Sequence, residues 1–203
     1  MANNVRCAVR FVNIDEAGKE KLQSLYSRIR RTEGSLWFGD LWVAPGGDID
    51  YEETNTRSWY TDNVGTKWCY FDEFDNDYFV TQSAWDWPSD GVEWVVTQVA
   101  KAQPNIVAEV QYDDEMPNFV GAAVFTKDGL YEDFQLDYDE LRLGIMDEHE
   151  DIAAEWNDEE EEFSEEGNDL FYDVLYDYIN DRQDDFFLEI TKDALDEANQ
   201  DDK

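Results

Sequence analysis

The chain has 203 residues, enough for one domain, or one domain with a helical appendage, and for a sizeable buried core. Its 42% apolar and 15% aromatic content excludes a disordered acidic chain, which lacks the apolar surface to fold. The 51 acidic against 15 basic residues, a formal net charge of -36, exclude direct binding to nucleic-acid phosphates or anionic membranes without a metal or a partner.

In chain order, residues 5 to 12 alternate. Val5, Cys7, Val9 and Phe11 face one way and Arg6 and Arg10 the other, which predicts a half-buried strand. Asp15 caps a predicted helix to about Arg31, with Leu22, Leu25, Tyr26 and Ile29 as its buried stripe. Arg28, Arg30 and Arg31 then fall in its last turn, where cations suit the helix dipole. Residues 34–64 read as an irregular but ordered excursion, because Trp37, Trp42 and Trp59 seek burial. Two strands, 67–73 and 77–83, flank a turn at Asp75-Asn76-Asp77. Pro88, Ser89 and Asp90 open a helix with Val92, Val95, Val96 and Val99 on one face, ending before Pro104. Ile106, Ala108, Val110 and Tyr112 point inward from a strand over 105–112. A further strand, Phe119 to Thr126, closes at Asp128-Gly129.

That order predicts an α+β protein with a ferredoxin-like, split βαβ core: an antiparallel sheet with two helices on one face. The strands bearing Cys7 and Cys69 are not neighbours in it, so two free thiols are expected, as in a reducing cytosol. No apolar run reaches the length of a membrane span, and Met1-Ala2-Asn3-Asn4 lacks signal-peptide character. The expectation is a soluble, cytoplasmic protein.

The last third differs. Residues 1–31 hold 7 basic and 3 acidic residues (+4), 32–132 hold 4 and 20 (-16), and 133–203 hold 4 and 28 (-24). The chain therefore divides into a core over 1–132 and an acidic, mainly helical extension over 133–203 that packs on it. From Asp147, Ile152, Trp156 and Phe163 recur at helical spacing. A helix from Asp169 to about Phe187 buries Leu170, Phe171, Val174, Leu175, Tyr178 and Ile179. Opposite them run Asp169, Asp173, Asp177 and Asp181, with Asp184 and Asp185 following. This places a carboxylate about every 6 Å along the helix. A short helix over 193–199 ends the chain.

Two stretches resemble a known family. One is Asn63-Val64-Gly65-Thr66-Lys67-Trp68 with the strand Tyr78 to Gln82, Trp85-Asp86-Trp87-Pro88, Trp94 and Pro104-Asn105. The other is the run Tyr112 to Gly121. Together they are similar to the ferredoxin-like domain of the YubB and Api-type proteins of phages and plasmids. The resemblance spans roughly residues 1–132, implies the same fold and a mobile-element origin, and supplies no catalytic residues. The acidic segment after about residue 140 departs from the family pattern.

The residues give little chemistry. His149, the one histidine, stands among Asp147, Glu148 and Glu150 with no partner motif. There is no phosphate loop, nucleophile elbow, zinc spacing or dinucleotide turn. Neither Asp72–Asp77 nor Asp147–Asp151 has the EF-hand pattern, and Lys67 reads as structural. No catalytic residue, metal or cofactor is therefore expected. The charge itself is the candidate function: a rigid display of carboxylates competes with DNA for a basic groove and is steered to it. The expected partner-binding residues are Asp158, Glu159, Glu160, Glu161, Glu162, Glu165, Glu166, Asp169, Asp173, Asp177 and Asp181. The partner would be a basic DNA-binding protein of the host cell, held without direct contact to nucleic acid or membrane. The chain would thus be a DNA-mimic inhibitor of a restriction, nuclease, CRISPR or transcription component. Two alternatives remain open: a homo-oligomeric assembly module joining the Arg6 and Arg10 face to the acidic helices, and a salt-adapted protein.

Overall fold

The structure, a computed structural model, describes residues 3–30, 35–116, 118–157 and 159–200. In chain order it forms β1 (Asn4–Phe11), α1 (Glu16–Tyr26), β2 (Leu36–Trp37), α2 (Arg57–Asn63), β3 (Cys69–Phe74), β4 (Tyr78–Ala84) and α3 (Ser89–Ala100). There follow β5 (Ala108–Asp114), β6 (Phe119–Thr126), β7 (Gly129–Asp137), α4 (Tyr138–Glu148), α5 (Glu150–Ala153), β8 (Trp156–Asn157), β9 (Glu162–Phe163) and α6 (Glu165–Ala198). The protein is α+β. Its main sheet is antiparallel with strand order β2-β3-β4-β1-β5-β6-β7, and β8 and β9 pair separately as a small hairpin.

The alternation in β1 sets the two faces of the sheet. Val5, Cys7, Val9 and Phe11 join Leu22, Leu25 and Tyr26 of α1 and Val92, Val95, Val96 and Val99 of α3 in one core. The other face is covered over β5–β7. There Val120 packs with Leu141, Ile145, Ile152, Phe171, Leu175 and Ile179. Further along, Val107 and Val124 meet Phe186, Phe187, Ile190 and Ala194 of α6. Cys7 and Cys69 are both free and buried, two strands apart, and burial pushes the Cys7 thiol up to about 12.

Several elements differ from the sequence reading. Helix α1 stops at Tyr26, so Arg28 and Arg30 do not cap it. Instead the Arg28 guanidinium donates to the Leu41 carbonyl at 2.6 Å, and the Arg30 backbone N–H donates to Asp40 at 2.9 Å. Those groups anchor the aromatic excursion, where Trp42 stacks on Trp94 at 3.9 Å; Arg31 lies outside the described residues. The sheet has seven strands where five were expected, gaining β2 at one edge and β7 at the other. The expected border at 132/133 falls inside β7, which pairs with β6 along its length. Trp156 and Phe163 do not share a helix: they face each other across the β8–β9 hairpin, rings 4.9 Å apart. Finally, α6 is one helix of 34 residues, with no break before 193.

Candidate functional site

The acidic surface is built by α6 and the hairpin before it. Ser164 caps the helix, its hydroxyl accepting from the Gly167 N–H at 3.0 Å, and Glu165 and Glu166 occupy the first turn, where the helix dipole favours anions. Glu159, Glu160 and Glu161 form the exposed hairpin turn and Glu162 stands exposed on β9; Asp158 lies outside the described residues. Asn157 shapes that turn by accepting from the Glu159 N–H at 3.0 Å and donating to the Glu160 carboxylate at 2.9 Å. The hairpin abuts the start of α6 through Phe163, whose ring lies 5.3 Å from Phe171.

Along α6 the sequence repeats every four residues rather than every 3.6. One row, Phe171, Leu175, Ile179, Gln183 and Thr191, is buried against the sheet and α4. Two of its polar members are satisfied there: Gln183 donates to the Gly121 carbonyl at 2.9 Å, and the Thr191 hydroxyl donates to Glu109 at 2.8 Å. A second row, Asp169, Asp173, Asp177, Asp181, Asp185, Glu189, Asp193 and Glu197, is exposed throughout. The first four were expected from sequence. Asp185 was noted as following them, whereas Glu189, Asp193 and Glu197 obey the same spacing and were missed because the helix was ended at Phe187. Among the described residues none of the eight forms an ion pair. A step of four residues advances about 6 Å and turns about 40° right-handed, so this row winds around the helix. In all, α6 carries 12 acidic and 2 basic residues, a net of -10.

The opposite candidate, the Arg6 and Arg10 face, is not a free basic surface. Arg10 is already paired with Glu109 at 2.6 Å. Asp113 stands beside Arg6 in register, and burial raises the Asp113 pKa against the lowering by Arg6. The cleft there, of about 390 Å³, is lined by Arg6, Arg10, Glu73, Tyr78, Glu109 and Asp184 among others, so acids outnumber bases.

The runs Gly65-Thr66-Lys67-Trp68 and Trp85-Asp86-Trp87-Pro88 meet in space. Thr66 donates to the Ala84 carbonyl at 2.6 Å, and the Lys67 ammonium lies 4.4 Å from the Trp85 ring centre. Arg57, which the sequence did not single out, lies 5.5 Å from the same ring. Trp85 is exposed and holds a left-handed backbone at φ 74°. His149 is half-buried at the junction of α4 and α5. Among the described residues no group of three or more His, Cys, Asp or Glu side chains is arranged to hold a metal ion. No helix among them is long and apolar enough to cross a membrane. The chain matches no family model, no curated protein and no solved structure.

Proposed function

We propose that the chain is a non-enzymatic inhibitor, carried by a phage or plasmid, that occupies the DNA-binding surface of a host protein as a DNA mimic. One observation carries this reading: the winding row of eight exposed carboxylates on α6, none of which forms an ion pair among the described residues. Duplex DNA presents a charge every ~3.4 Å per strand. The row offers one every ~6 Å, turning in the same right-handed sense. Its neighbours bring α6 to a net of -10 over roughly 51 Å, about one charge per 5 Å. That is within a factor of two of one DNA strand, enough to compete for a basic groove by the same counterion release and steering. Glu159 to Glu162 extend the display beyond the N-terminus of the helix.

The mobile-element origin rests on the resemblance to the YubB and Api-type proteins. The order β3-β4-β1-β5, with α1 and α3 sharing one core, supports reading those elements as a ferredoxin-like unit. Self-association through the Arg6 and Arg10 face is the weaker reading, because Arg10 is already held by Glu109.

The test is retention of proteins from a bacterial lysate on the tagged chain at low salt, with and without excess duplex DNA. The expected result is a small set of DNA-binding proteins, displaced by DNA. They should be lost when Asp173, Asp177, Asp181 and Asp185 are all changed to Lys while the circular dichroism is unchanged. Retention that ignores DNA, or a charge-reversed variant that binds equally well, overturns the proposal.

A further inference from the structure

The outward side of α6 carries more than acid. The row beside the carboxylates includes Tyr172 and Tyr176, 50% and 55% exposed, although large aromatics favour burial. Asp169 with Tyr172, and Asp173 with Tyr176, are i,i+3 pairs, the separation at which side chains on a helix surface are neighbours. The two pairs repeat four residues apart, about 6 Å along the axis. That spacing gives each ring a carboxylate at a neighbouring position on the helix surface, and among the described residues no arginine lies over either ring or pairs with either carboxylate.

Three arginines of the chain show what can use a ring and a carboxylate together, each lying over the one and pairing with the other. Arg30 lies 3.7 Å from the Tyr51 ring centre and 3.6 Å from Asp40. Arg142 lies 4.0 Å from Trp156 and 3.1 Å from Asp139. Arg182 lies 4.9 Å from Tyr178 and 3.1 Å from Glu148. By contrast Lys19 and Lys192 pair with carboxylates, Lys67 lies over a ring, and among the described residues none of these three does both. The physical reason is general. A guanidinium is planar and weakly hydrated, so it can stack on a ring while its edge donates to a carboxylate; an ammonium is a compact, strongly hydrated point charge.

We propose that Asp169–Tyr172 and Asp173–Tyr176 are two sockets for arginine side chains of a partner protein, so that α6 selects an arginine-rich rather than a lysine-rich surface. This rests on reading α6 as the face toward a basic partner and names the chemistry of that partner. Carboxylates alone would take either cation. The exposed tyrosines are what the bare charge display does not need.

The experiment is fluorescence anisotropy of the full chain with labelled octa-arginine and octa-lysine peptides, at low salt and at about 150 mM salt. Both peptides should bind, octa-arginine about tenfold more tightly. In a Tyr172→Leu, Tyr176→Leu double variant of unchanged helicity, the lysine peptide should bind as before and the arginine preference should fall to about twofold or less. Tyr172→Phe with Tyr176→Phe keeps the rings and should keep the preference. Asp169→Asn with Asp173→Asn should weaken both peptides. Equal affinity for the two peptides, or a preference that survives the leucine variant, overturns the sockets while leaving the charge display standing. Binding of neither peptide overturns the sockets and the reading beneath them together.

Discussion

Glu109 is the residue on which the docking of α6 turns. It sits on β5 with its side chain only 9% exposed, on the sheet face away from α1 and α3. One carboxylate oxygen accepts from Arg10 at 2.6 and 3.1 Å and the other from Thr191 at 2.8 Å, so a strand, its neighbour and the helix are joined through one acid. Removing Arg10 leaves a nearly buried carboxylate with only a hydroxyl donor, whereas removing the Thr191 hydroxyl leaves the ion pair. Arg10→Ala should therefore cost about 1–3 kcal/mol in urea denaturation and Thr191→Val about 1 kcal/mol. Amide exchange in the last turns of α6 should speed up in both. Equal costs, or a larger loss for Thr191→Val, would contradict this account. The alternation in β1 did place Arg10 away from the core, but Glu109 gave no sign: an acid in a chain with 51 of them carries no information until its burial is known.

At the scale of elements, what could be read from sequence follows from how long a simple period persists. Strand β1 and helix α3 keep one period over most of their length, while β4 and β6 are short runs bounded by turn residues, and the placement of these strands agreed to within a residue or two. Helix α6 does not keep a fixed face. Its buried row recurs every four residues, so it drifts about 40° per step and passes across the sheet as it runs. A search for one apolar face loses it near Leu188, which is exposed, although the helix continues to Ala198. Trp156 and Phe163 misled for a related reason: a separation of seven fits two helical turns and also fits opposite positions of a short hairpin. The acidic row could be read throughout once the helix was known to be unbroken. Like charges four apart weaken a helix by a few tenths of a kcal/mol per pair, so this row is a burden on the fold that the buried row offsets. Changing Asp173, Asp177, Asp181 and Asp185 to Asn removes five such pairs, counting those with Asp169 and Glu189. The variant should melt roughly 2–4 °C higher than the parent while losing the DNA-displaceable partner. If it bound the partner undiminished, the row would serve solvation only.

The whole molecule lives with a charge of -36, and its stability should show it. Mutual repulsion at so large a net charge opposes the compact state more than the expanded one, and protonation relieves it. Burial acts in the same direction at Asp40, Asp86 and Asp113, each raised first by desolvation, with neighbouring Asp90 and Asp114 adding to the rise at Asp86 and Asp113. For groups raised in this way the folded state is the better proton acceptor. Stability is then greatest below their folded pKa values and declines as pH rises through them. The melting temperature should accordingly increase as pH is lowered from neutral toward the ordinary carboxylate range, opposite to a chain stabilised by ion-paired carboxylates. Added salt should act likewise at neutral pH, because the Debye length shrinks from about 30 Å at 0.01 M to about 3 Å at 1 M and the repulsion between exposed carboxylates is screened. Partner binding should move the other way, weakening steeply with the same salt. The two titrations, run side by side, separate a field that exists to meet a cationic surface from one that only hydrates the protein. In the first case, affinity falls over the range in which stability rises; in the second, stability rises and no salt-sensitive partner is found.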